Sequence, residues 1–162
     1  MEWNVFFGDL GSPPRRNKLI DTTLSSPLFT LIFGAPGQPG NNPLSLAQRN
    51  LLRHLTFSLP SGQDVANAMG EEPLEVTDLS DLAPLGLATK TPLWFYILRE
   101  AEVRTGGTRL GPVGGRIVAE VFIGLLQGDH MSFLRQFLKW KPTLGTGGEF
   151  AMSDLLKTAG VA

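Results

Sequence analysis

The stretch "RNLLRHLTFSLPSG", Arg49 to Gly62, sets Asn50 and Arg53 three residues apart in a leucine-rich run. Residues at that spacing share one face of a helix. Either the pair snorkels to water, or it meets something polar that the rest of the sequence does not show. Other groups able to do chemistry are sparser. The two histidines, His54 and His130, are far apart, with neither an HExxH pattern nor a clustered carboxylate, so they lack the ligand number of a metal site. Ser61 in "LPSGQ" has no G-x-S-x-G elbow and no base near it. "TGGTRLGPVGGR" precedes a helix as a phosphate loop would, but it lacks the GK[ST] ending and a preceding strand. A turn with close helix packing at Gly114 and Gly115 accounts for it. Glu100, Glu102 and Glu120 lie on expected helices that also carry arginines, and solvated ion pairs explain them. No nucleophile, base or metal constellation emerges, so any catalytic groups must come from elsewhere.

Helices must position these residues. Ser45 and Gln48 make a capping-box pattern, predicting a helix to about Phe57, where "SLPSG" breaks it. Ser61 and Asp64 open a shorter helix that Gly70 ends. In "TPLWFYILREAEVRTGG", Thr91 reads as the N-cap, Pro92 as the first helical residue and Gly106 as the stop. Leu93, Trp94, Ile97, Leu98 and Ala101 form its apolar stripe, Glu100 and Arg104 can pair on its polar side, and Trp94 is the aromatic expected in the core, with Phe95 and Tyr96 at the rim or in contact with a partner. "GPVGGRIVAEVFIGLLQGD" repeats the design from Pro112 to Gly128. Val113, Ile117, Val121 and Leu125 lie on one face, widened by Val118, Phe122 and Leu126, so this helix is expected to be largely buried. Two short helices are expected near Met131–Phe137 and Ser153–Ala159. No run alternates with period two, so the fold class expected is mainly α, an irregular helical array.

With 162 residues, the chain matches one ordinary domain or part of a larger one. It divides into an N-terminal helical arm (1–33), a Gly/Pro/Asn connector (34–43, "GAPGQPGNNP") and a helical core (44–162), all within a single partial domain. Charged residues make up 18%, below the usual quarter, which fits either a compact globule or a piece whose sides another chain or further sequence covers. A net charge of −1 without a basic block argues against nucleic acid as a partner. The absence of cysteine excludes disulfides and thiol chemistry. No signal peptide and no membrane span are read, so a cytoplasmic location is expected.

Four passages in order resemble the C-terminal part of a bacterial member of the animal-type haem peroxidase family. They are "SLAQRNLLRHLTFSLPSGQDVANAMG", "TPLWFYILREAE", "LGPVGGRIVAEVFIGLLQGD" with the following "SFL", and the closing W-K-P-T-L…F-A-M-S-D-L-L; "RRNKLIDTTLSSPL" fits the segment just upstream. The resemblance implies the C-terminal part of that fold, with haem as cofactor and hydrogen peroxide reduction, or a related oxygenation of lipid, as the reaction. It implies that Asn50 hydrogen-bonds the far nitrogen of the iron-ligating histidine, that Arg53 pairs with a haem propionate, and that Leu59-Pro60 closes the segment. "HLTFS" departs from the residues the family carries between the arginine and Leu-Pro, so that loop's finer contacts do not transfer. The family's proximal and distal histidines, distal arginine, calcium site and haem-linking carboxylates all lie upstream of the matching passages.

The implied protein is a truncated one that contributes no catalytic residue and no metal ligand, is inactive alone, and binds haem only when the missing N-terminal part or a separate catalytic chain completes it. Self-association, or a large exposed apolar patch, would follow from the uncovered surface. The other reading left open is a non-catalytic helical interaction or structural module without haem, in which Arg53 is a snorkelling surface cation.

Overall fold

The computed structural model describes residues 2–11, 13–14, 17–31 and 43–161. The described residues are mainly helical and contain no β-strand, only isolated bridges between Ser61 and Pro92 and between Thr146 and Glu149. Gly34–Asn42 of the expected connector lie outside the described residues, as do Arg15 and Arg16. Among the described residues no helix is long and apolar enough to cross a membrane. The chain divides into two compact units, one of Leu19–Val121 and the other of Met1–Lys18 with Phe122–Ala162.

In the unit of Leu19–Val121, α1 spans Leu46–Thr56, and the Ser45 hydroxyl accepts from the Gln48 N–H at 3.4 Å. α2 spans Gly62–Met69; Ser61 Oγ accepts from the Asp64 N–H at 3.2 Å, and Gly70 stops the helix at φ 73°. A 3-10 segment, Val76–Leu85, follows. It was not expected from the sequence, because its apolar residues fit no 3.6-residue period and Pro84 lies inside it.

α3 spans Leu93–Thr105 and ends at Gly106, φ 60°. It begins one residue later than the cap pattern implies, with Pro92 rather than Thr91 in the cap position. Thr91 is buried and its groups are committed elsewhere. Its hydroxyl donates to the Leu87 carbonyl at 2.8 Å and accepts from Gln63 Nε2 at 2.9 Å, while its N–H donates to Gln63 Oε1 at 2.9 Å. The Gly62 N–H donates to the Thr91 carbonyl at 2.9 Å, so the starts of α2 and α3 are tied together.

The core of this unit is Ala66, Leu74, Leu79, Ala88, Tyr96 and Val113, with Leu93, Phe95 and Ile117 among the half-buried residues packed on it. The expectation for the aromatic triplet is reversed. Tyr96 is fully buried, and Trp94 is only half-buried. The Tyr96 ring lies where a side chain at position 62 would stand, and its phenolic oxygen accepts from the Leu74 N–H at 2.9 Å. This one ring joins α2, α3 and the loop between Met69 and Val76.

α4 spans Pro112–Gly128 with the expected boundaries. Its expected burial is overturned. Only Val113 and Gly114 are buried, whereas Val121, Phe122, Ile123 and Leu125 are exposed, Phe122 and Leu125 by 64% and 65%. The apolar face is real, but its later turns are exposed among the described residues. In the other unit, α5 (Phe133–Gln136) and α6 (Met152–Thr158) are the two short helices expected. The Ser132 hydroxyl donates to the Leu126 carbonyl, Phe133 and Trp140 meet edge to face at 5.8 Å, and Ser153 and Leu156 are buried.

Candidate functional site

α1 carries the Asn50–Arg53 pair. Arg53 Nη1 donates to Asn50 Oδ1 at 3.3 Å, so the pair forms within the helix itself. Arg53 is exposed and Asn50 half-buried. The helix packs against α3 and the 3-10 segment Ser26–Phe29. Its half-buried positions include Leu46, Ala47, Asn50 and His54, a helical i, i+3/i+4 set. Leu51, Leu52 and Leu55 are exposed, Leu55 by 72%. The usual arrangement is thus inverted: the amide and the imidazole lie toward the packed side, and three leucines lie in solvent with the guanidinium.

The end of α1 prolongs that surface. Ser58 closes the helix in the left-handed region, φ 49°, the Leu59 N–H donates to the His54 carbonyl at 2.9 Å, and Phe57 and Leu59 are exposed. His54 Nδ1 is buried and has no hydrogen-bond partner among the described residues. His130 is exposed on the turn after α4. Among the described residues no group of three or more His, Cys, Asp or Glu side chains could hold a metal ion.

The carboxylates divide into two kinds. Glu120 pairs with Arg116 at 2.7 Å, both exposed, and the exposed Glu102 pairs with the half-buried Arg99 at 3.5 Å. Glu100 corrects the solvated reading. It is fully buried, and its carboxylate accepts from the Val113 and Gly114 N–H groups at 3.1 Å. These are free donors in the first turn of α4, where the helix dipole also favours negative charge. Arg104, its expected partner, instead donates to the Glu72 carbonyl at 2.6 Å. The signal available in the sequence was Gly111, whose missing side chain leaves the space that the Glu100 carboxylate fills.

Where α3 ends and α4 begins, Arg104, Arg109 and Arg116 line an open groove of about 690 Å³ with Leu110, Gly111 and Gly115. Arg116 Nη1 donates to the Met69 carbonyl at 2.9 Å. The pairing with Glu120 holds the Arg116 guanidinium above its ordinary pKa. Comparison with known proteins finds no family model, no curated protein and no solved structure that matches this chain.

Proposed function

We propose that this chain is the C-terminal helical segment of a haem peroxidase and completes a haem pocket against a polypeptide that holds the iron. The observation that carries this reading is the inverted α1, which turns Leu51, Leu52, Leu55 and Arg53 to solvent together. Leucines in water cost free energy unless a second surface covers them. An apolar macrocycle with carboxylate arms is a group that leucines and an arginine fork would meet together.

The residues present fit the rim of such a group. Arg53 keeps guanidinium N–H groups beyond the one given to Asn50, and it would hold a propionate. Asn50 Oδ1 has a second lone pair beside the one facing Arg53, and it would accept from the N–H of a ligating imidazole supplied by the other polypeptide. Haem, when bound, would supply the peroxide-driven electron transfer. The leucines of α1 would exclude water from its edge.

Haemin titration of the purified chain, alone and mixed with an upstream peroxidase fragment, tests this. A Soret shift in either case, abolished in Arg53→Ala, is the expected result. A chain that leaves the haemin spectrum unchanged in both mixtures overturns the haem reading. The exposed leucines would then favour the second reading, an interaction module whose α1 face receives a protein surface.

A further inference from the structure

We propose that the groove between the end of α3 and the start of α4 binds a small organic polyanion through Arg104, Arg109 and Arg116. This site is separate from Asn50 and Arg53 and does not rest on the haem reading.

Three arginines line one open space of about 690 Å³, within the usual size range of small-molecule sites. Only one of them meets a carboxylate among the described residues, Arg116 through Glu120. Arg104 is held in place by the Glu72 and Pro73 carbonyls, at 2.6 and 3.4 Å, which are neutral acceptors and leave its charge uncompensated. Arg109 makes no side-chain hydrogen bond or ion pair among the described residues, and its backbone carbonyl is fixed by the Thr105 hydroxyl at 2.6 Å. Like charges lining one groove repel each other at low salt, and an anion between them relieves that repulsion.

The first turn of α4 is not the binding element, since the Val113 and Gly114 N–H groups are taken by Glu100. Gly115 leaves room: a side-chain carbon there would meet only Leu110, at 4.0 Å. Leu110 and Pro112 add apolar wall, which suits a carbon-bearing ligand with phosphate or carboxylate oxygens.

Calorimetric titration of the whole chain at low ionic strength, with inorganic pyrophosphate and separately with citrate, tests the site and distinguishes the two oxyanions. Binding of at least one is expected with Kd on the order of a millimolar or tighter. It should weaken about tenfold or more in Arg109→Ala and be unchanged in Lys90→Ala, which removes an equal charge from the same unit. Pyrophosphate alone would assign a phosphate ligand and citrate alone a carboxylate. No heat from either, or the same affinity in Arg109→Ala as in the parent chain, overturns the proposal. So does an equal loss in Arg109→Ala and Lys90→Ala. Because the Arg109 side chain has no partner within the described fold, the variant should keep the parent Tm, and that measurement separates lost binding from lost folding.

Discussion

Glu100 and Tyr96 are the two side chains on α3 whose removal reaches furthest. Glu100→Ala would strand two backbone N–H groups at the start of α4 inside the protein. Unpaired buried donors cost about 1–3 kcal/mol each, so a loss of roughly 2–4 kcal/mol in urea unfolding is expected, with Glu100→Gln losing about half as much because one acceptor oxygen remains. Tyr96 gives a pH-dependent counterpart. Burial pushes its phenol above the ordinary value, and the negative Glu100 nearby adds to that, against the Leu74 N–H, which favours the phenolate. A folded pKa above the unfolded one means that this stabilisation is fully present below about pH 10 and is lost as pH rises through the raised value. Tyr96→Phe should therefore flatten the alkaline limb of the stability curve while costing about 1 kcal/mol at neutral pH for the Leu74 N–H left unpaired. Neither role was legible from residue type. A buried carboxylate has the same letter as a surface one, and three consecutive aromatics do not reveal which of them points inward.

Among the elements, α2 rests on the smallest parts. Gly62→Ala would drive a methyl group into the Tyr96 ring, and overpacking of this kind costs typically about 1–3 kcal/mol, readable as a lowered Tm. At the same helix start, the Ser61 hydroxyl lies 2.6 Å from Asp64 Oδ2 and holds the Asp64 carboxyl below its ordinary pKa, with Lys90 assisting. A depressed folded pKa contributes stability above the ordinary carboxylate range that disappears as pH falls through the lowered value. Ser61→Ala should return the Asp64 titration, followed by NMR, toward the ordinary range and cost about 1 kcal/mol for the lost cap. These caps were readable in the sequence because they are local: Ser61, Gly70, Pro112 and Gly128 mark their boundaries without help from the rest of the chain. Val76–Leu85 was not readable, since a 3-10 segment containing a proline has neither helical nor strand periodicity. The burial of α4 was misjudged for a different reason. An apolar stripe says that a helix needs a cover and does not say whose.

Across the whole molecule, each of the two units leaves apolar side chains in solvent: Leu51, Leu52 and Leu55 in one, and Phe122, Leu125, Phe137 and Leu138 in the other. Surfaces of this kind promote association. The chain alone should enhance the fluorescence of an apolar dye and show concentration-dependent light scattering. Leu55→Gln with Leu125→Gln should reduce both signals while changing stability by no more than about 0.5 kcal/mol per site, as is usual for exposed positions. A haemin or partner complex that covers α1 should protect Leu55 but need not protect Leu125, so the two variants report separately. The open turns of α4 also bear on the lifetime of the chain in a cell. Solvent-facing phenylalanine and leucine are what chaperones and proteases select, so if a second chain shields Val121, Phe122 and Leu125, unshielded copies should be degraded sooner than shielded ones, and the abundance of this polypeptide would follow the supply of that chain.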